Sequence, residues 1–197
     1  ETGKTSDISA TKWLKAGSWN FNSPDKLPSQ FTLPVKRQSA ASTVKGNKSM
    51  LVDFGKETLG FIKLHGLKGK GKLSVYYGES REEALSPEHC EALDRVQVNN
   101  TAKKDETMKL SKAYRFVNVQ YDGSVSLDSV SMLYEYADVK ERGSFTCSDA
   151  EINKIYEVAK YTFHLNTREF FIDGIKRDRW VWSGDAYQSY LMNYYLF

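Results

Sequence analysis

Cysteine, histidine and long apolar runs are scarce in this chain of 197 residues. Its two cysteines are too few for the dense disulfide framework of small secreted domains, and they do not settle the redox compartment. Its three histidines lie far apart and lack metal-ligand spacing, so we expect no bound metal. No apolar run approaches the ~18 residues that cross a bilayer, so we expect no membrane span. Nothing resembles a signal peptide, which predicts a cytosolic chain or one already processed.

An excess of charge of one sign is missing too. The chain has 28 lysines and arginines against 25 acids, for a formal net charge of +3. Surfaces that bind nucleic acids or anionic membranes usually concentrate positive charge, so we expect neither partner. The basic, glycine-rich segment 68–72 lacks the spacing of a phosphate-binding loop, so we interpret it as a turn and expect no cofactor. Aromatic residues are plentiful at 13%, which suits a carbohydrate-binding surface and equally a β-rich core.

Residues up to about 140 carry the pattern of short β-strands separated by turns. Apolar and polar side chains alternate, and glycine or Asp-Gly pairs punctuate the segments. The predicted strands cover residues 49–54, 59–66, 72–79, 95–100, 114–123 and 130–139. The charged segment 80–113 is predicted as a long excursion around the short strand 95–100. Many short strands with turns predict an antiparallel, jelly-roll-like β-sandwich over residues 1–140. Glu57 and Glu79 fall there and are interpreted as structural or solvent-facing, with a role at the junction of sandwich and barrel as the alternative.

The hydrophobic period changes after residue 147 to that of an α-helix. Ser148 and Glu151 have the spacing of a capping box, which predicts a helix that begins there and runs to about Phe170 or Phe171. One stripe of this helix is apolar, which predicts that it is buried. The residues of the stripe are Ile152, Ile155, Tyr156, Ala159 and Phe163.

A second helix is predicted to begin near Gly184 and Asp185, because an acid in the first turn is stabilised by the helix dipole. The sequence that follows, AYQSYLMNYYLF, is apolar on nearly every face and predicts a helix that is buried all round. Nothing before Phe197 resembles a helix stop, so we interpret the chain as truncated. We therefore expect further helices to cover the second helix, from downstream residues or from a separate chain.

The segment between the two helices, DGIKRDRWVWSGD (173–185), crowds acids, bases and two tryptophans together. Glycoside hydrolysis needs one carboxyl to protonate the leaving oxygen and another to activate water or attack. Arginines bind hydroxyls and acids, and tryptophans offer flat apolar faces to a sugar ring. The residues of interest are Asp173, Arg177, Asp178, Arg179, Trp180, Trp182 and Asp185. From spacing alone, a solvated loop with ion pairs and two core tryptophans is the simpler interpretation.

A resemblance to a known family favours the sugar site. The stretch RGSFTCSDAEINKIYEVAKYTFHLNTREFFIDGIKRDRWVWSGDA (142–186) resembles the start of the catalytic domain of bacterial α-L-rhamnosidases, glycoside hydrolase family 78. In that family a similar helix leads to a loop of the form D-C-P-x-R-E-R-x-G-W-T-G-D-A. Upstream, VDFGKETLGFIKL (52–64) resembles a strand pair of the same family. The resemblance covers roughly residues 50–197.

The resemblance implies a mixed fold and an activity. The fold is an antiparallel β-sandwich over residues 1–140, then a linker and the first helices of a truncated (α/α)6 barrel over 141–197. The activity is that of an inverting enzyme that removes terminal α-L-rhamnose, in the periplasm or secreted from a bacterium, with the cytoplasm as the alternative. The general base lies beyond Phe197, in the remainder of the barrel.

The implied roles follow position by position. Asp178 stands at the general acid, Asp173 and Asp185 bind hydroxyls of the carbohydrate substrate, and the remaining substrate-binding residues are Arg177, Trp180 and Trp182. Asp178 replaces a glutamate and is one methylene shorter, and Gly174-Ile175 replaces Cys-Pro. These departures leave a second interpretation open, namely a non-catalytic carbohydrate-binding or scaffolding protein that keeps the fold. An assay on an aryl α-L-rhamnoside separates the two.

Overall fold

The computed structural model describes residues 33–197, of which Pro34–Phe197 form one compact unit. Residues 1–32 of the predicted first domain lie outside the described residues. The strands are β1 (Val35–Ser39), β2 (Ser42–Gly46), β3 (Ser49–Gly78), β4 (Ala92–Thr107), β5 (Lys112–Tyr121) and β6 (Ser129–Glu135). The helices are α1 (Arg81–Leu85), α2 (Ala150–Asn166) and α3 (Ser183–Leu196). The strand-to-helix change near residue 140 agrees with the sequence, while a domain boundary there stays a prediction.

The six strands form one antiparallel sheet that curls around a single core. Residues 116–121 of β5 pair with 49–53 of β3 on one side and with 73–78 of β3 on the other. Since β3 is one continuous strand of 30 residues, it must make a circuit around the core between these two segments. Antiparallel pairing is therefore confirmed, but a single curled sheet replaces the predicted sandwich of two sheets.

Glycines allow β3 to bend within this circuit. Gly66 and Gly69 have φ angles of +65° and +109°, in a region that side chains with a Cβ rarely adopt. The register of β3 against β4 shifts at the same place, between Leu64 and Leu67 and again between Leu67 and Gly69. Such irregularities increase the local twist of a sheet and bend it. The three predicted strands 49–54, 59–66 and 72–79 are thus parts of one bent strand.

The core lies inside the curl and is built by alternation along β3. Met50, Val52 and Phe54 are buried, whereas the residues between them are partly exposed. The rings of Tyr77 and Tyr114 meet near its centre, with centroids 5.0 Å apart. Burying each large apolar side chain stabilises the fold by roughly 1.5–3 kcal/mol, which makes this core the main source of its stability.

One prediction about the strands is wrong in detail, and two strands were not predicted. The segment 80–113 holds the short helix α1 and the sixteen-residue strand β4, not an excursion with a strand at 95–100. The sequence does not reveal β4, because Val98 is its one fully buried residue and no regular alternation appears. The strands β1 and β2 lack the pattern as well, because nearly all of their side chains are exposed.

Helix α2 differs from its predicted bounds at both ends. Asp149, not Ser148, caps it, since its carboxylate accepts hydrogen bonds from the backbone N–H of Glu151 (2.8 Å) and Ile152 (3.2 Å). The helix ends at Asn166 rather than Phe170, and the hydroxyl of the next residue, Thr167, donates to a carbonyl of the last turn.

The predicted apolar stripe of α2 is buried only at its end. Phe163 is buried, but Ile152 and Ile155 are 46% and 62% exposed. The reason is that α2 packs on the sheet through its C-terminal half alone. There Leu165 joins a second apolar cluster with Leu59 and Ala113 of the sheet.

Helix α3 begins at Ser183, one residue before the prediction, and is not covered. Tyr194 and Tyr195 are 77% and 78% exposed among the described residues, and Tyr190 and Leu191 are exposed as well. Its end is tied to α2, because the ring of Phe197 stacks on Phe163 with centroids 6.0 Å apart. A covering set of barrel helices stays a prediction.

Candidate functional site

The loop between α2 and α3 contains a tight turn over residues 173–180. Its ends are joined by a hydrogen bond from the backbone N–H of Asp173 to the carbonyl of Trp180, at 2.8 Å. Gly174 at the start of the turn has a φ of +53°, which glycine adopts without strain. Arg179 near its end has a φ of +46°, which costs a residue with a Cβ roughly 1 kcal/mol or more.

The side chain of Arg179 holds the turn in this strained conformation. Its Nε donates to the carbonyl of Ile175 at 2.7 Å, within the turn. Its Nη1 donates to the carbonyl of Ser111 at 2.9 Å, just before β5. One guanidinium thus closes the turn and fixes it to the sheet. Because Arg179 is half-buried, burial lowers its pKa, and the nearby charge of Arg168 adds to the effect.

Lys176 forms the second anchor between the turn and the sheet. Its Nζ lies 2.8 Å from a carboxylate oxygen of Glu83 in α1 and 3.4 Å from one of Glu79, just after β3. A third acid, Glu91, lies 3.7 Å away. Burial opposes the charged ammonium, but these carboxylates outweigh it and raise the pKa of Lys176. The turn is therefore fixed on both sides of Asp178.

The predicted site residues of this segment lie at the surface. Trp180 and Trp182 are 63% and 50% exposed, so the alternative of two core tryptophans is wrong. Arg177 pairs with Asp178 at 3.4 Å, and both side chains are exposed. An exposed ion pair contributes less than ~1 kcal/mol, which leaves both side chains free to exchange partners.

Asp173 and Asp185 are brought together in one cleft between α2 and α3. The cleft has a volume of about 660 Å³, within the usual range for small-ligand sites. Its other lining residues include Tyr156, Phe163 and Tyr195, so carboxylates stand beside apolar and aromatic surface. Asp178, Trp180 and Trp182 do not line it, and Arg177 lines a neighbouring cleft.

That neighbouring cleft, of about 980 Å³, contains a carboxyl pair that the sequence did not reveal. The side chains of Glu57 and Glu79 lie within hydrogen-bonding reach of each other. Burial, then the hydrogen bond and charge of Glu79, raise the pKa of Glu57 to about 7. Within residues 33–197, no hydrogen-bond donor reaches the buried Oε1 of Glu57. The pair is therefore set up to hold a proton near neutral pH.

No sequence pattern signals this pair, because Glu57 and Glu79 stand far apart along the chain. They come close only because β3 curls around the core. Residues near Asp53 and residues near Gly78 then lie on either side of the same end of β5, next to the turn 173–180. Their interpretation as merely structural or solvent-facing is incomplete, since Glu79 also contacts the anchor Lys176. In the part of the chain that the structure describes, no His, Cys, Asp and Glu cluster is placed to bind a metal. Among the described helices, none has the length and apolarity to cross a membrane.

Two family models match the chain. Residues 1–119 match the model described as α-rhamnosidase-like, bacteroidetes, N-terminal. Residues 140–197 match the bacterial α-L-rhamnosidase 6 hairpin glycosidase domain. None of the curated proteins matches the sequence. The sheet and the start of the helical part thus resemble the same group of proteins.

Solved structures share the fold at low sequence identity. A family 78 rhamnosidase of Bacillus sp. GL1 is 23% identical over 79% of this chain, with a TM-score of 0.67. A rhamnosidase from Klebsiella oxytoca with rhamnose bound is 17% identical over 84%, with a TM-score of 0.69. An α-L-rhamnosidase from Dictyoglumus thermophilum is 19% identical over 85%, with a TM-score of 0.67. The chain spans 17%, 40% and 20% of these three structures, respectively.

Proposed function

This chain belongs to the α-rhamnosidase-like family, and on that premise we propose that it is the N-terminal part of an enzyme that removes terminal α-L-rhamnose from glycans or glycosides. Membership in the family makes it a glycoside hydrolase-like protein. The observation that carries the finer proposal is the anchored turn 173–180. It lies within the match to the glycosidase domain and presents Asp173, Asp178 and Trp180 at the surface.

In the proposed reaction Asp178 acts as the general acid. Its proton passes to the glycosidic oxygen as the bond from the anomeric carbon to that oxygen breaks. A carboxylate beyond Phe197 removes a proton from the water that attacks the opposite face of the sugar, so the anomeric configuration inverts. Inverting enzymes hold their two carboxyls roughly 6.5–9.5 Å apart to admit this water.

The other exposed groups of the segment bind the sugar in this proposal. Asp173 and Asp185, which share a cleft, accept hydrogen bonds from sugar hydroxyls. Trp180 and Trp182 offer exposed rings to the apolar face of the sugar. Arg177 donates to substrate hydroxyls once it leaves Asp178. Such work on external glycans fits a location in the periplasm or outside a bacterial cell.

The test replaces Asp178 by Asn in a protein that joins this chain to the remainder of the barrel. General acid–base catalysis contributes ~10²–10⁴ in rate, so turnover of an alkyl α-L-rhamnoside should fall by about that factor. An activated aryl rhamnoside needs little protonation and should be affected far less. The exposed Asp138 provides the control, since Asp138→Asn should leave both rates unchanged. Equal losses on both substrates, or a first product that retains its anomeric configuration by proton NMR, would contradict this mechanism.

One observation favours a second candidate function, non-catalytic carbohydrate binding. Asp173 and Asp185 line a cleft with aromatic walls. Asp178, which is one methylene shorter than the glutamate of the family at this position, does not line it. A binding protein would need the first two acids and not the third. In that case the protein that joins this chain to the remainder of the barrel would bind free L-rhamnose but would not hydrolyse rhamnosides. Asp185→Asn would weaken that binding, and Asp178→Asn would not.

A further inference from the structure

A small cleft beside α2 gathers three cations and no acid. It lies where β1, β3 and β6 meet α2 and has a volume of about 350 Å³. Its lining residues are Lys36, Arg37, Gln38, Lys56, Thr58, Tyr134 and Tyr161. None of the predicted sugar-site residues lines it, although it shares Lys56 and Tyr161 with the cleft of about 980 Å³ that Arg177 lines.

Strand pairing and one aromatic contact place the cations. Lys36 of β1 is the direct partner of Tyr134 in the antiparallel ladder with β6. On β3, the Nζ of Lys56 lies 3.8 Å from the centre of the Tyr161 ring, which fits a cation–π contact. Cross-strand partners lie close together, so the side chain of Lys36 leaves the sheet beside that of Tyr134, while the ammonium of Lys56 lies over the ring of Tyr161.

The polar groups of the cleft are held in place before any ligand arrives. The hydroxyl of Tyr161 donates to the carbonyl of Glu57 at 2.6 Å and lies 3.1 Å from the hydroxyl of Thr58. The ring of Tyr134 stacks on Tyr136 with centroids 5.4 Å apart. Fixed side chains lose little freedom on binding, which favours affinity.

The nearest acids are engaged elsewhere. Glu135, next to Tyr134, pairs with Arg168, and the carboxyl of Glu57 faces Glu79. Over residues 33–197, no carboxylate lies within 4.0 Å of the charged groups of Lys36, Arg37 or Lys56. The three cations of this cleft are therefore not engaged in direct ion pairs among the described residues, and an anion that enters it gains charge-assisted hydrogen bonds.

We propose that this cleft binds one anionic sugar unit, in which a carboxylate or sulfate group contacts the lysines and the ring rests beside the tyrosines. The volume exceeds what a bare anion fills and lies at the lower end of small-ligand sites. The side-chain carbonyl of Gln38 is available to sugar hydroxyls, because the amide nitrogen of the same side chain donates to the carbonyl of Phe54 at 3.1 Å and fixes its orientation. The cleft is thus a second carbohydrate site, and its existence does not depend on the catalytic role of Asp178.

The test titrates the 197-residue chain with D-glucuronate, D-glucose 6-sulfate, D-glucose and inorganic sulfate, followed by heteronuclear NMR. We expect both anionic sugars to bind at least about tenfold more tightly than glucose and more tightly than sulfate alone. Shift changes in the unaltered chain should centre on Thr58, Tyr134 and Tyr161, which locates the site without any variant. The two anionic sugars, compared with each other, identify the preferred charged group.

Variants then test the cations. The double variant Lys36→Gln, Lys56→Gln should weaken glucuronate binding at least about tenfold, whereas Lys104→Gln, at an exposed lysine of β4, should not. Glucuronate that binds no better than glucose would overturn the proposal, as would unchanged binding by the folded double variant. Sulfate that binds as tightly as the sugars would reduce the cleft to a simple anion site and overturn the sugar assignment. None of these results bears on turnover by Asp178.

Discussion

Replacing Glu57 by glutamine should stabilise the chain clearly at pH 8 and much less at pH 5. Burial and the adjacent Glu79 raise the pKa of the folded Glu57 from 4.5 to about 7. Between these two values the folded chain holds a proton that the unfolded chain has released. The free energy of unfolding therefore falls as the pH rises through this window, and it reaches its lower level above pH 7. A glutamine at this position would keep a hydrogen-bonding amide and never ionise.

The magnitude follows from the raised pKa. Each pKa unit corresponds to about 1.36 kcal/mol, so an upper bound for the cost of ionising Glu57 in the folded chain is ~3.4 kcal/mol. The side chain is only half-buried, and solvent screens part of this energy. We therefore expect Glu57→Gln to raise the free energy of unfolding at pH 8 by about 1–2 kcal/mol.

Urea unfolding at pH 5 and pH 8, followed by far-UV circular dichroism, measures this difference. Glu88→Gln is the matched control, because Glu88 is exposed and makes no side-chain hydrogen bond among the described residues. The same change in stability at both pH values would refute the reasoning. So would a Glu57→Gln variant that is less stable than the parent at pH 8, since that would show a favourable role for the ionised carboxylate.

Two further predictions concern the turn and the last helix. Arg179→Met should lower the free energy of unfolding by about 1–3 kcal/mol, because the carbonyls of Ile175 and Ser111 lose their donor. It should also speed amide exchange of Asp173, whose N–H closes the turn. Arg177→Met, at an exposed position, should do neither. The exposed stripe of α3 should make the isolated chain self-associate, and Leu191→Ser with Tyr194→Ser should shift its mass by sedimentation towards the monomer. A chain that is monomeric before substitution would contradict this.

The sequence predicted the sheet where burial alternates regularly. Met50, Val52 and Phe54 are buried in the core between partly exposed neighbours, and this two-residue period is visible without a structure. β4 has no such period, because its outer residues are charged and only Val98 is fully buried. The curl was equally hidden, since it depends on which strands pair with both halves of β3.

The composition of the candidate site could be predicted, but its surroundings could not. The acids, arginines and tryptophans of 173–185 stand out by residue type alone. Their support comes from Glu83, Glu79 and Ser111, which lie far away in sequence and carry no recognisable motif. Long-range contacts of this kind arise from the path of the sheet, so a local pattern cannot contain them.

The circuit of β3 also determines how the chain reaches its native state. β5 fills the space between two segments of β3, so β3 must be fully synthesised and bent before β5 can insert. Partners such as Ser49 with Gln120 are widely separated along the chain, which raises the contact order and slows folding. Until insertion, both edges of the gap present unpaired backbone groups to other chains. The geometry that gathers Glu57, Glu79 and the anchored turn at one edge therefore exposes the newly made protein to edge-to-edge aggregation.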